Sequence, residues 1–170
     1  MNDQLLYTTI GAVMGTVITS LIAPYILQSS VRRTAKANAL KCLLDVEMTR
    51  WASSDHKLYR RNQIELKAAV LVAGGSRAIV DNYSKMAAVA RSYSDLDAED
   101  NYYDGEGGMP TDIADRASDA ALLLSKSLWT PFAFRFIPLI KLKFLKRQQQ
   151  KLQKQYTNQR GESCWKVRTI

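Results

Sequence analysis

The chain has 170 residues, 24 of them Lys or Arg and 16 Asp or Glu, for a formal charge of +8, with 46% hydrophobic residues. That length allows one small domain with its own core but not comfortably two once about thirty residues are set aside for an anchor. Two cysteines and a single histidine exclude a disulfide framework and a His-rich metal centre, and four prolines with eight glycines favour helices over a sheet.

Residues 5–27, LLYTTIGAVMGTVITSLIAPYIL, carry no charge. Twenty-three residues at about 1.5 Å rise make roughly 35 Å of helix against a hydrocarbon core of about 30 Å, so a membrane anchor is predicted. A cleaved signal peptide would want basic residues ahead of the run, whereas the chain opens Met-Asn-Asp-Gln. A buried helix of a soluble protein is the other alternative, favoured by the hydroxyls of Thr8, Thr9, Thr16, Thr19 and Ser20, but hydroxyls that bond back to helix carbonyls are tolerated in lipid. Arg32, Arg33, Lys36 and Lys41 follow the run, and the positive-inside rule places the N-terminus outside and the body in the cytoplasm. Gly11, Gly15 and Thr19 share a helix face whose small size suits close helix packing and a homo-oligomer.

A helix is predicted from about Ser30, with Leu40, Leu44, Met48 and Trp51 on its apolar side and Leu43 and Val46 broadening it. Ser53, Ser54 and Asp55 offer caps for a second helix from about His56 to Ala73, burying Leu58, Leu66, Ala69 and Ala73. Gly74-Gly75 ends it. A third helix follows Ser76, with Ile79, Tyr83, Met86, Ala90 and Tyr93 inward. The stretch 94–110, rich in acidic residues and glycine, is expected to be an exposed loop. Thr111 or Asp112 then caps a fourth helix carrying Ile113, Ala117, Ala121, Leu124 and Leu128 on one face. After Trp129-Thr130-Pro131, a last helix is expected from Pro138, and residues 158–170 are expected to be a flexible tail. The predicted fold is all-α: an N-terminal transmembrane helix (1–30) followed by a cytoplasmic antiparallel bundle of four to five helices (31–157).

Charge is segregated. Nine of the 16 acidic residues lie between Asp95 and Asp119, and none lies between Ala120 and Gly161, where nine Lys and Arg accumulate. In the basic aromatic segment 129–155, Trp129, Phe132, Phe134 and Phe136 precede Lys141, Lys143, Lys146 and Arg147, with Lys151 and Lys154 beyond. That is the composition of a segment at a lipid headgroup boundary, and with Arg32 and Arg33 it predicts contact with an anionic inner leaflet. The competing reading has Ile137, Ile140, Phe144 and Leu145 completing the bundle core. A second span over 120–140 would bury Lys126 and Arg135 at about 2.5 to 3.5 kcal/mol each. Nucleic acid is the weaker candidate partner, because beside a membrane lipid is the nearer polyanion.

The run from Val70 through Gly74-Gly75 to Ile79 lacks the spaced glycines and βαβ alternation of a dinucleotide site, and the loop from Asp100 fails the register of a calcium-binding EF-hand. His56 beside Asp55 has no positioned nucleophile in sequence, and Cys42 reads as a small hydrophobe. No catalytic, cofactor or metal site is predicted. An uncharged-to-acidic N-terminus, one apolar run, an Arg-Arg flank and a short helical body resemble the layout of small single-pass membrane proteins of bacteria and their phages. The expectation is a non-enzymatic membrane protein acting through an unidentified protein partner and lipid contacts. The alternative is a membrane-active effector, a phage holin-like, superinfection-exclusion or defence protein, that oligomerises and perturbs the bilayer.

Overall fold

The computed structural model describes residues 23–51, 55–103, 110–131, 134, 136–157 and 165. Among them are five helices and no strand: α1 (Ala23–Thr49), α2 (His56–Val72), α3 (Arg77–Tyr103), α4 (Thr111–Trp129) and α5 (Phe136–Thr157). The chain divides into two compact units, Met1–Ala35 and Lys36–Ile170. In the first, the described residues are the opening turns of α1, where Thr34 Oγ1 donates to the Ser30 carbonyl at 3.1 Å and Val31, Arg32 and Arg33 are exposed. Gly11, Gly15, Thr19 and all but the last five residues of the run 5–27 lie outside the described residues. Among the described residues no helix is long and apolar enough to cross a membrane.

The second unit is a helical bundle centred on α3, which packs against α2, α4 and α5, while α4 also packs on α5. Two pairs of contacts fix the direction of α2 against α3. Gln63 Nε2 donates to the Ser84 carbonyl at 3.1 Å, and Lys67 pairs with Asp81 at 3.1 Å, so the two helices are antiparallel. The turn before α3 lies against Leu128 near the end of α4, and Tyr93 late in α3 meets Tyr156 late in α5 with ring centroids 6.1 Å apart. Helix α3 is buried almost all round from Ile79 to Tyr93, as a central helix must be. Its alanines 87, 88 and 90, with Ala117 and Ala120 of α4, lie in a core filled by Leu66, Val70, Tyr83, Met86, Ile113 and Leu124.

Helix ends follow local chemistry. Asp55 caps α2, its Oδ1 accepting from the Lys57 N–H at 2.9 Å. At the other end the Gly74 N–H donates to Leu71 O (3.0 Å) and the Gly75 N–H to Val70 O (2.8 Å), a Schellman arrangement with Gly74 at φ 74°. Helix α4 is capped by Pro110 rather than by Thr111 or Asp112: the Ile113 and Ala114 N–H groups donate to the Pro110 carbonyl, and Asp112 falls in the first turn. It stops at Thr130, which is extended (φ −66°, ψ 126°) because Pro131 disfavours helix in the residue before it. The alternative of a second span over 120–140, which Lys126 and Arg135 already opposed, falls across two helices, with Ala120, Leu123, Leu124 and Leu128 in the bundle core.

Four expectations are corrected. Helix α3 runs to Tyr103, well into the stretch expected to be a loop from 94, because the first helix breaker is Gly105. Helix α5 begins at Phe136, and Pro138 sits in its first turn, where its missing N–H would have had no intrahelical partner. Helix α1 buries Ala39 with Leu43 and Val46, the two residues expected only to broaden its face, while Leu44 and Met48 are exposed, as is Trp51 beyond its end, so the buried face is turned by about one residue from the expected one. Trp165, in the expected flexible tail, is only 6% exposed and its Nε1 donates to Tyr93 Oη at 3.1 Å.

Candidate lipid-contact surface

Helix α5 turns Pro138, Leu142 and Gln149 inward, spaced at four and seven residues. The opposite stripe is then Phe136, Ile140 and Phe144, all exposed, Phe144 by 62%. Continued at helical spacing, the same stripe becomes Arg147, Lys151 and Lys154, all exposed as well. The outward face is therefore apolar over its first turns and cationic over its last. Lys141, Lys143 and Lys146 are also open to solvent, and Ile137 and Leu139 extend the apolar part. This answers the competing core reading for three residues: Ile137, Ile140 and Phe144 do not enter the bundle, because Pro138 and Leu142 take the inward positions.

Phe134 is exposed beside this stripe, in the turn closed by its N–H donating to the Pro131 carbonyl at 2.9 Å. Trp129, at the end of α4, is half exposed, and the Lys36 ammonium stands 5.2 Å from its ring centroid. Of the expected aromatic group, Phe132 lies outside the described residues. Arg32 and Arg33 are exposed on α1 within the other compact unit.

A buried polar cluster, almost unmarked in the sequence, joins α1, α2 and α3. Tyr83 Oη donates to Glu47 Oε1 at 2.7 Å, and Glu47 Oε2 pairs with Arg50 Nε at 3.2 Å. Arg91 Nη1 donates to the carbonyl of Thr49, the last residue of α1, and its guanidinium lies 4.9 Å from the Tyr59 ring centroid. Gln63 Nε2 donates to Tyr59 Oη at 2.7 Å, and Asn62 Nδ2 donates to Asp45 O and Thr49 Oγ1, both at 3.2 Å. Burial pushes the phenols of Tyr59 and Tyr83 well above the usual range, and for Tyr83 the neighbouring Glu47 carboxylate adds to the effect. Both therefore stay protonated and act as fixed donors and acceptors. The one legible clue was that Tyr59, Gln63 and Leu66 recur at helical spacing on α2, a phase obscured by Leu58, which is exposed.

Asp55, His56, Glu65 and Cys42 are spread apart in role. Asp55 caps α2, His56 is exposed, and Glu65 pairs on the surface with Arg61 at 2.8 Å. Cys42 is half-buried, and that burial, with Asp45 nearby, raises its thiol pKa, opposite to what a nucleophile needs. No protein-family model, curated protein or solved structure matches this chain.

Proposed function

We propose that this is a non-enzymatic, membrane-anchored helical protein whose residues 5–27 span the bilayer with the N-terminus outside. In this reading the body lies in the cytoplasm, and α5 rests on the anionic inner leaflet. The observation that carries it is the outward stripe of α5, apolar at Phe136, Ile140 and Phe144 and cationic at Arg147, Lys151 and Lys154. An amphipathic helix of that composition seats its apolar side at the headgroup boundary, and each basic residue there contributes roughly 1 kcal/mol. A spanning segment on the same chain strengthens such a contact by raising its effective concentration. Exposed Leu44 and Met48 on α1 and Leu71 and Val72 on α2 support a second role, docking of a protein partner.

The full chain reconstituted into phosphatidylglycerol-containing vesicles should show slower amide exchange across 136–157 than in pure phosphatidylcholine. Replacing Lys141, Lys143, Lys146 and Arg147 together by Gln should erase the difference, and equal exchange in both lipids would sink the lipid role. Protease added to intact cells should spare the body; external cleavage within 94–110 would reverse the topology. The effector reading is supported by the Gly11, Gly15 and Thr19 face. It requires expression to collapse the membrane potential in a manner that Gly11 and Gly15 substitutions to Leu abolish, where the anchored reading expects the potential intact.

A further inference from the structure

Helix α1 is apolar on two sides. Ala39, Leu43 and Val46, spaced at four and three residues, are buried against the bundle. Ala37, Lys41, Leu44 and Met48 repeat that alternation on the outward side, and all four are exposed, Leu44 by 63% and Met48 by 76%. Trp51, just beyond the helix end, prolongs the stripe and is 43% exposed. The stripe is narrow, with Asn38 and Asp45 along one edge and Glu47 along the other. A narrow stripe alternating at three and four residues is the seam of a coiled coil, whereas a helix lying on lipid presents a broader apolar face of the kind α5 carries. What fits this stripe is a second helix alongside it.

Two observations identify that helix. The side chains from Ala37 to Trp51 expose well under the about 800 Å² per partner that holds two free proteins together, so the occupant must be concentrated beside the stripe by other means. Residues 5–27 supply those means in the anchored reading, on which this inference rests: copies confined to one bilayer meet at raised effective concentration. Helix α1 begins at Ala23, within that run, so two anchored copies start the helix at the same membrane face and run in the same direction. We propose that the outward stripe of α1, formed by Ala37, Lys41, Leu44 and Met48, pairs in parallel with the same stripe of a second copy of this chain. Each residue then faces its own counterpart. Lys41 falls at a core position, where its stem packs and its ammonium still reaches water if only two helices meet, which limits the assembly to a dimer. Leu44 and Met48 are idle in a lone chain, so truncating them leaves the bundle's own stability unchanged while weakening the pair.

The test uses the full chain in the membranes of cells expressing it, with Cys42→Ser and Cys164→Ser and one new cysteine at a time. Mild oxidation of Leu44→Cys and of Met48→Cys should each give at least about fivefold more disulfide-linked dimer than Asn38→Cys or Arg60→Cys, exposed positions off the stripe, because sulfurs bridge only when the Cα atoms lie within about 7 Å. Self-linking at both seam positions marks the parallel register; an antiparallel pair brings at most one layer to its own copy. Leu44→Glu, which sets two carboxylates face to face, should cut the Met48→Cys dimer at least about fivefold. All four positions are exposed, so the substitutions leave the core untouched. Linking no stronger at the seam than at Asn38 or Arg60, self-linking at one seam position only, a Met48→Cys dimer indifferent to Leu44→Glu, or a product whose mass is not twice that of the chain would each overturn the proposal. Alkaline extraction separates it from the reading beneath it: a chain that stays in the membrane without linking sinks the seam alone, whereas a chain released from the membrane sinks the anchor and the pairing with it.

Discussion

At Gly75 the turn between α2 and α3 has no room for a side chain: a Cβ there would lie 2.6 Å from Val70 Cγ1 and 3.0 Å from the Val70 carbonyl oxygen. The backbone oxygen cannot give way without loosening the bond it accepts from the Gly75 N–H. Gly75→Ala is therefore expected to lower stability by about 1–3 kcal/mol in urea unfolding, and no loss would mean that the turn relaxes freely. Tyr59 and Tyr83 give a pH signature. Their phenols lose the proton in the unfolded chain near pH 10, while burial keeps it bound in the fold well above that. The folded state thus holds more protons in that range, and the contribution is complete below about pH 10 and lost as pH rises beyond it. Thermal scans from neutral to alkaline pH should show Tm falling above about pH 10, with a shallower fall in Tyr83→Phe; an identical slope would remove the assignment. At neutral pH Tyr83→Phe should also cost about 1–2 kcal/mol, since Glu47 loses a 2.7 Å donor.

At the scale of elements, the rotation of α1 decides which residues matter. Leu44 and Met48, 63% and 76% exposed, should tolerate Ser within about 0.5 kcal/mol, whereas Leu43→Ala should cost about 2–4 kcal/mol. The reverse order, measured by denaturant unfolding, would restore the face that sequence periodicity suggested. This contrast shows how far the sequence could be read. Helix α3 was legible because Ile79, Tyr83, Met86, Ala90 and Tyr93 repeat without competition, and all five are buried. The Gly74-Gly75 break was legible because only glycine suits φ 74°. Helix α1 was not, since apolar residues occupy two adjacent stripes. Its rotation goes with polar bonds from Glu47 and Thr49 to residues of α3, 36 and 42 positions away. Hydropathy carries no trace of such pairings. The same blindness applied to α5, where the apolar stripe Phe136, Ile140 and Phe144 looks like a core face until Pro138 and Leu142 are seen to take that place. The burial of Gln149 was invisible for a related reason: a glutamine on a Gln- and Lys-rich helix reads as solvated surface.

At the scale of the whole molecule, Trp165 fastens a distant part of the chain to α3 across 72 residues. Trp165→Ala removes a ring that is nearly wholly buried and leaves Tyr93 Oη without that donor. A loss of about 3–5 kcal/mol is expected, together with faster proteolysis near the C-terminus; stability within error of the parent chain would show that the indole contributes no net packing energy.

The bond from Arg91 to the end of α1 also bears on the order of events in time. Contacts between α2 and α3 and between α3 and α4 close short stretches of chain, and such contacts form early. Backbones of α1 and the other helices approach closely at few points, and its last turn is secured instead by side chains: Asn62 reaching Asp45 and Thr49, Tyr83 reaching Glu47, and Arg91 reaching the Thr49 carbonyl from 42 residues away. That long closure belongs late in folding and, by the same reasoning, is the first to release. Amides 43–49 will then exchange through a local opening that leaves the α2–α4 assembly intact, at a rate governed by how often Asn62, Tyr83 and Arg91 let go together.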